Sequence, residues 1–394
     1  MKQYYFDQAA TSYPKAAGVA EAAADYIRNI GVNVSRGSYH TAYAAEGLVY
    51  ETRRKLCRLF DFDKPQNVIF TQSITYAMNM ILKGYLKTGD HVLVSDMEHN
   101  AVMRPLVQLE KEKGVTFTRI PYELLQNIKD AELGKLLTDH TKAIIMLHAS
   151  NVNGELFPIR EIGAFAHSHG LKFIVDSAQT AGVYPISMKE DCIDALGFTG
   201  HKSLLGPQGI GGFLITDEMA KETEALISGG TGSISDTEET PDFLPDKFEA
   251  GTMNLPGIAG LSHALDWIEG IGMKQIYQKE KELTDYFVSE LQCLNKKIQE
   301  KNKLNEVPFR LIQGFQMPIV SVQCNYGDEA ELAYRLDEKY GIMVRVGMHC
   351  APAAHRALHT YPKGTLRFSF GYGQSKAELN YVLEALRKEC ENYG

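Results

Sequence analysis

The chain has 394 residues and a mass of 43.9 kDa, more than one ordinary hydrophobic core holds, so a large domain and a smaller one are expected. Hydrophobic residues make up 44% and charged residues 23%, a balance typical of a folded globular protein, which excludes extensive disorder. The formal net charge is -8, and the Lys and Arg residues are scattered along the chain instead of forming a basic stripe. This disfavours nucleic acid and anionic membranes as partners and leaves small-molecule chemistry as the expected function.

The N-terminal stretch MKQYYFDQAATSYPK lacks the apolar segment of a signal peptide, and no run of about 18 apolar residues follows it. A cytoplasmic protein is therefore predicted. The six cysteines are widely spaced and include no CxxC pair. Reduced thiols are expected, with neither a disulfide framework nor a metal site.

Short apolar runs alternate with stretches of helical period, such as 73–86 and 158–169, between about residues 65 and 215. The runs are NVIF, HVLVS, KAIIMLH, KFIVD and GGFLIT. Continuous Val, Ile and Leu without polar alternation is typical of strands covered on both faces, so a mainly parallel sheet with crossover helices is predicted.

The pattern changes after this region. One charged helix is predicted over about 259–297, and two more near 327–340 and 375–391. Between these helices the segments PIVSVQ, IMVRV and TLRFSF read as strands. A compact α/β C-terminal lobe is the expected result.

Ligands of open α/β sheets bind at the carboxyl ends of the strands, so the residues after each apolar run are the candidates for a site. Polar chemistry follows five runs, at 71–75, 96–100, 148–151, 176–179 and 199–202. Their convergence on one edge is the main functional signal.

Lys202 stands in the Gly-rich, otherwise apolar segment FTGHKSLLGPQGIGG, where desolvation would lower its pKa and favour attack on a carbonyl to form a Schiff base. A surface lysine is the alternative, and the neighbours argue against it. Asp176 ends the strand KFIVD, where a buried carboxylate keeps a pyridine nitrogen protonated; a helix N-cap is its alternative. Gln179 would then hydrogen-bond the phenol oxygen of the ring. Together these residues indicate pyridoxal 5'-phosphate (PLP).

Phosphate binding is predicted around Thr75, which starts a helix directly after a strand, with Thr199 and His201 as further donors. Simple capping by Ser73 is the alternative. His99, in DMEHNAV, is placed to stack on a flat cofactor and move protons, although a structural histidine is the simpler interpretation.

Two further candidates lie in the C-terminal region. Cys350, in VRVGMHCAPAA, is a candidate nucleophile, with an ordinary buried thiol as the alternative. Arg367, in TLRFSF, alternates inward with apolar neighbours, so its cation needs an anion, and a carboxylate is the predicted one.

The chain resembles the class V aminotransferase group of fold-type I PLP enzymes, and within it the cysteine desulfurase and selenocysteine lyase branch. The resemblance rests on nine ordered landmarks: FDQAATS, SRGSYHT, TQSITYAMN, MEHNA, SNVNGE, DSAQ, TGHKSLLGPQGIG, FEAGTMN and RVGMHCA. It implies a large domain over 15–260, with a mainly parallel seven-stranded sheet covered by helices. Residues 1–14 and 261–394 would form a small α/β domain that carries Cys350.

The resemblance also implies a role for each site residue. Lys202 would be the Schiff-base lysine and His99 the ring-stacking acid/base, with Asp176 on the pyridine nitrogen and Gln179 on the phenol oxygen. The implied phosphate ligands are Thr75, Thr199, His201, the backbone of Ile74 and, from the neighbouring subunit of a homodimer, Thr252. The implied substrate-binding residues are Asn151, Arg367 and His40.

The predicted reaction is desulfuration of L-cysteine to L-alanine, with Cys350 taking the sulfur as a persulfide and passing it to a sulfur-acceptor protein. Alternatives are a selenocysteine lyase, a transaminase or β-lyase, and a sulfur carrier or scaffold without cofactor chemistry. The sequence departs from the branch at Met348, at Ile74 and in a longer 348–366 stretch. Met348 lacks the proton role that a histidine could have at this position, and Ile74 can offer phosphate only its backbone N–H. The order of the longer stretch is left open.

Overall fold

The computed structural model describes residues 2–34, 37, 39–234 and 236–390. Its strands are, in chain order, β1 (Tyr4–Tyr5), β2 (Val68–Thr71), β3 (His91–Ser95), β4 (Thr116–Ile120), β5 (Thr141–Leu147), β6 (Lys172–Asp176), β7 (Ala195–Thr199), β8 (Gly211–Ile215), β9 (Phe309–Ile312), β10 (Ile319–Cys324), β11 (Ile342–Met343), β12 (Arg345–Gly347) and β13 (Thr365–Ser369).

The α-helices of the described residues follow the same order. They are α1 (Val19–Asp25), α2 (His40–Leu59), α3 (Ile74–Tyr85), α4 (Asn100–Lys113), α5 (Tyr122–Gln126), α6 (Asp130–Gly134), α7 (Ile159–Ser168), α8 (Asp217–Glu222), α9 (Leu255–Ile271), α10 (Met273–Asn302), α11 (Glu329–Tyr340), α12 (Pro352–Ala357) and α13 (Lys376–Cys390). None of them is long and apolar enough to cross a membrane.

The larger of two compact units comprises Lys15–His148 and Phe157–Met273. Its seven-stranded sheet has the order β2-β8-β7-β6-β5-β3-β4, and only β8 runs against the others. Every residue of β3, β7 and β8 is buried, so the middle of the sheet is covered on both faces. The predicted mainly parallel, helix-covered sheet is confirmed.

The smaller unit comprises Met1–Pro14, Ala149–Leu156 and Lys274–Gly394. It contains an antiparallel sheet of order β12-β13-β10-β9 and a parallel pair, β1 with β11. Phe287 of α10 packs on Phe368 and Phe370 in the core of this unit, with ring centroids 5.1 and 5.2 Å apart. The expected α/β C-terminal lobe is therefore present, with an N-terminal strand added to it.

The unit boundaries differ from the predicted ones. The first boundary, after residue 14, is the same, but the second falls after Met273 and not after residue 260, which lies inside α9. The segment Ala149–Leu156 also belongs to the smaller unit. A pattern of apolar residues does not reveal which core a short connecting segment joins.

Two predicted elements are each divided in the structure. The single helix over 259–297 is wrong: α9 ends at Ile271, and the Gly272 that follows has a φ of 90°, which is readily adopted only by glycine, before α10 starts at Met273. The strand IMVRV is wrong as one strand, because β11 pairs with β1 while β12 pairs with β13.

Candidate active site

The carboxyl ends of the parallel strands bring the predicted polar residues of the larger unit to one edge of its sheet. Asp176 ends β6 opposite Leu147 of β5 and Gly197 of β7, and Thr199 ends β7. Because β8 is antiparallel to β7, the connection over 200–210 starts and finishes at this same edge. Lys202 lies in that connection, so the fold keeps the lysine beside the strand ends.

Asp176 is fully buried, and burial raises the pKa of its carboxyl group. The backbone N–H of Ala178 donates to Oδ1 at 2.8 Å, and this bond and the positive charge of Lys202 both oppose the rise. The residues that follow, 178–183, form turns and not an α-helix, so the helix N-cap interpretation of Asp176 is wrong and the Ala178 contact closes a local turn. The influence of Lys202 shows in addition that a cation lies within electrostatic reach of the carboxyl group.

The Lys202 turn is half-buried and closed by backbone hydrogen bonds. Leu205 N–H donates to Lys202 O at 2.8 Å, and Leu205 has a positive φ of 59°. Beside it, the pKa of His201 is lowered to about 4, mainly by burial and also by the charges of Lys202 and Lys15. The ring of His201 is therefore neutral at pH 7.

Lys15 is a second lysine at this turn, and the sequence did not single it out. Its Nζ donates to His201 O at 2.8 Å, and burial lowers its pKa to about 8. The only sequence signal is its place in the TSYPK stretch, which precedes the first helix. The two lysines give the turn an unusually concentrated positive charge for a partly buried site.

His99 caps α4: the backbone N–H of Ala101 donates to its Nδ1 at 3.0 Å. Because Nδ1 accepts, the proton of the neutral ring lies on Nε2, which makes that atom a donor. The side chain of His99 is partly buried. The structural role and the predicted acid/base role thus use different ring nitrogens and are compatible.

Glu98, next to His99, is completely buried and was missed at the sequence level. Its Oε1 accepts from Ser95 Oγ at 2.6 Å and from Leu147 N–H at 2.8 Å, and burial raises its pKa to about 8. It ties the loop after β3 to the end of β5. The available signal was an acidic residue in the loop that follows the mostly apolar strand HVLVS.

The predicted phosphate-binding residues lie at the start of α3 and the end of β7. Ser73 caps α3, with Tyr76 N–H at 3.5 Å from Oγ, so the capping interpretation holds for this residue. Thr75 is exposed and Ile74 is buried in the first turn of the helix. The buried hydroxyl of Thr199 has no hydrogen-bond partner. A Cβ on Gly211 would stand 3.0 Å from Ser73 Cα, so glycine allows this loop to approach β8 closely.

Three other predicted residues of this unit can be placed. Gln179 is buried in the turn after β6. Thr252 is exposed and lines a cavity of about 140 Å³ with Thr71 and Gln72. His40 is exposed at the first residue of α2, and its motif neighbours Ser35, Arg36 and Ser38 lie outside the described residues.

In the smaller unit, Arg367 is 2% exposed and already has an anionic partner. Its Nη2 donates to Asp7 Oδ1 at 2.7 Å and its Nη1 to Asn151 O at 2.8 Å, while Nε is buried without a partner. Asn151 Nδ2 donates to His349 O at 2.7 Å, and its Oδ1 has no partner. The predicted carboxylate-binding pair is thus adjacent, with Asp7 as the anion that Arg367 meets in this structure.

Removal of this anion is expected to destabilise the protein. Asp7→Ala leaves a fully buried guanidinium without its counter-charge, so we expect the free energy of unfolding to fall by roughly 3 kcal/mol. Urea denaturation followed by circular dichroism measures it. Asp285→Ala, which breaks the more exposed Lys281 pair on α10, is the matched control and should cost below about 0.5 kcal/mol. Equal effects of the two substitutions would contradict the assignment.

Cys350 is exposed, at the tip of a tight turn between β12 and α12. Ala351 N–H donates to Met348 O at 2.9 Å, and the two residues between them, His349 and Cys350, have φ of 46° and 57°. The alternative of a buried thiol is therefore wrong for Cys350. The 348–366 stretch, left open by the sequence, contains helix α12 and the buried side chain of His355.

An α/β chain with a lysine turn at the carboxyl edge of a mainly parallel sheet, and with a separate smaller unit, defines the class of protein. The family model for class V aminotransferases matches residues 4–382, and the chain belongs to this family. The resemblance stated from the sequence is confirmed.

Among curated proteins, a probable cysteine desulfurase of Halalkalibacterium halodurans is 32% identical over 99% of this chain and 94% of its own length. One from Methanothermobacter thermautotrophicus is 29% identical over 98% of this chain and 95% of its own. Among solved structures, an apo cysteine desulfurase of Thermococcus onnurineus superimposes with a TM-score of 0.88 at 27% identity, covering 99% of this chain and 95% of that one. The cysteine desulfurase CsdA of Escherichia coli gives 0.84 at 26% identity, covering 98% and 94%.

Proposed function

We propose that this protein is a PLP-dependent cysteine desulfurase that converts L-cysteine to L-alanine and takes the sulfur on Cys350 as a persulfide. The observation that carries the proposal is an exposed thiol at a turn tip in the unit that also holds the buried Arg367. Relatives named cysteine desulfurase, aligned over nearly the whole chain, support the same choice within the family.

The residues of the larger unit fit PLP. Thr199 offers a buried hydroxyl that has no protein partner, and Asp176 offers a buried carboxyl group, the acceptor that a protonated pyridine nitrogen requires. Lys202 would hold the cofactor covalently through its ε-amino group. The predicted ligands of the phosphate are Thr75, Thr199, His201 and the Ile74 N–H, and Gln179 is the predicted partner of the phenol oxygen. When bound, PLP accepts electrons from the α-carbon of an amino acid.

The protein's own groups have distinct tasks in this proposal. His99 presents Nε2–H, because Nδ1 is held by Ala101 N–H, and so holds a proton that it can give up and regain. Asn151 and Arg367 orient the substrate carboxylate, for which Arg367 Nε is the unpartnered donor. Cys350 acts as the nucleophile in its thiolate form.

The net reaction balances without an added oxidant or reductant. The C–S bond of cysteine breaks, an S–S bond forms at Cys350 Sγ, and the β-carbon of the substrate gains a proton, which leaves alanine and an enzyme persulfide. A thiol reductant or an acceptor protein then removes the outer sulfur atom. The identity of that acceptor is a separate question from the reaction.

Product analysis tests the proposal. Purified protein loaded with PLP is incubated with L-cysteine and dithiothreitol, and in a parallel sample with L-selenocysteine, and alanine, sulfide or selenide, and pyruvate are quantified. We expect alanine and sulfide in equal amounts from cysteine. Alanine from selenocysteine alone indicates a lyase, and pyruvate or another keto acid indicates a β-lyase or transaminase. No product from either substrate contradicts the proposal.

A homodimer is part of the proposal, because Thr252 is predicted to bind the phosphate of the neighbouring subunit. In support, Thr252 lines a cleft of about 730 Å³ beside the exposed rings of Tyr39 and Tyr50. Further large apolar side chains of the same unit are exposed, namely Tyr43, Leu226, Ile227, Ile234 and Phe243. Apolar exposure of this extent favours burial by a second protein surface. Sedimentation equilibrium should give twice the chain mass, and a monomer at micromolar concentration would contradict this assignment.

A further inference from the structure

The turn that carries Cys350 has a conformation its residues disfavour. Its i→i+3 hydrogen bond joins Ala351 N–H to Met348 O, and both central residues have positive φ, the pattern of a type I′ turn. Such turns usually contain Gly, Asn or Asp, whereas here the central residues are His349 and Cys350. Each non-glycine residue in the left-handed region costs on the order of 1–2 kcal/mol, so contacts elsewhere must hold the turn.

His349 supplies these contacts. Its side chain is 5% exposed and its Nε2 lies 2.9 Å from Thr365 Oγ1, on β13. Its backbone O accepts from Asn151 Nδ2 at 2.7 Å. Ring and backbone of one residue are thus fixed at two independent points, directly before the thiol.

A second buried histidine supports the first. The ring centroids of His349 and His355 are 5.7 Å apart, and His355 Nδ1 lies 2.6 Å from Thr360 Oγ1. Burial lowers the pKa of His349 well below its usual value, with the charge of Arg367 acting in the same direction, so its ring is neutral. Nε2 makes the Thr365 contact, while Nδ1 is buried without a hydrogen-bond partner. By contrast, the third histidine of this stretch, His359, has an exposed side chain. Like His349, it has a positive φ.

We propose that His349 is a positioning residue for the sulfur transfer: its ring, fixed to Thr365, holds the strained turn that presents Cys350. The inference rests on the proposed desulfurase function for its consequence, but the anchoring itself is a property of the turn. Met348, where the branch has another histidine, takes no part in the anchor beyond its backbone O.

The decisive variants are His349→Ala, His349→Gly and Thr365→Val. Glycine adopts positive φ without strain, so His349→Gly removes the ring contact but leaves the turn conformation accessible. Thr365→Val removes the hydroxyl from the other side of the contact and nearly preserves side-chain volume. His359→Ala is the matched control, since it changes an exposed histidine of the same stretch that also has positive φ.

Two measurements are made on the PLP-loaded protein. The first is hydrogen–deuterium exchange of the Ala351 amide, which the turn protects; we expect it to accelerate at least tenfold in all three variants, with α13 unchanged. The second is steady-state desulfuration of cysteine, for which we expect kcat to fall about 10- to 100-fold while KM stays within about threefold. His359→Ala should match the wild type in both.

The outcomes separate the two proposals. If His349→Gly exchanges and turns over like the wild type, the ring is not the anchor and the inference is overturned. If exchange accelerates but kcat is unchanged, His349 is structural and not positioning, which also overturns it. If the wild type produces no alanine while exchange accelerates as expected, the anchor stands and the desulfurase function fails.

Discussion

Lys202→Ala should lower the rate of alanine formation from cysteine by at least about 10³-fold, because the proposed covalent attachment of the cofactor uses the ε-amino group of residue 202. The fold supports this, since the antiparallel direction of β8 keeps Lys202 at the edge where Asp176 ends its strand. The measurement is alanine production at saturating PLP. A second readout is borohydride reduction followed by mass spectrometry of the peptide that contains residue 202.

Lys15 provides a sharp control for this prediction, because it is a second, partly buried lysine whose pKa is lowered to about 8. In the wild type and in Lys15→Ala, reduction should add the cofactor mass to Lys202. In Lys202→Ala, no peptide should carry it. Label on Lys15 in any of these samples would show that the cofactor lysine has been assigned to the wrong residue.

Cys350→Ala should lower desulfuration of cysteine at least about 100-fold, because water and small thiols replace a positioned nucleophile poorly. The variant should still bind PLP with the absorption spectrum of the wild type, since the predicted cofactor ligands belong to the larger unit. Alanine from cysteine is the primary measurement. Mass spectrometry of the wild type after a single turnover should find the extra sulfur on the Cys350 peptide.

Cys293 of α10 is the matched control, because it is the other exposed cysteine among the described residues. Cys293→Ala should keep the wild-type rate. Full activity of Cys350→Ala with cysteine would remove the persulfide step from the proposal. Activity of Cys350→Ala retained only with selenocysteine would instead favour the lyase, whose selenium is the better leaving group.

The sheet of the larger unit was predictable because its strands are locally encoded. Runs such as HVLVS and KFIVD are apolar on both faces, and the polar residue behind each run marks the carboxyl end of a strand. Since the carboxyl ends of parallel strands lie at the same edge of a sheet, the sequence alone groups Asp176, Thr199 and Lys202 at one site. These residues indicate a PLP enzyme, and the family resemblance adds the prediction that its reaction is sulfur transfer.

Other parts of the site depend on partners that are distant in the sequence. The anion that binds Arg367 is Asp7, which is 360 residues away in the sequence. The segment IMVRV forms two strands because its first half pairs with β1 and its second half with β13. The Cys350 turn breaks the usual residue preferences for positive φ, since tertiary contacts of His349 outweigh local propensity. Local periodicity contains no information on such pairings.

Strand β1 has a consequence for how the chain folds as it is made. Tyr4 and Tyr5 are synthesised long before their partners in β11, which follow after more than three hundred further residues, roughly 20 to 70 s later at about 5–20 residues per second. During that interval the larger unit can complete its sheet, whereas β1 still lacks its partner strand β11. The smaller unit, with its Asp7–Arg367 ion pair, is therefore expected to complete its fold after the larger one, and the turn that carries Cys350 can be anchored only once β13 has been made.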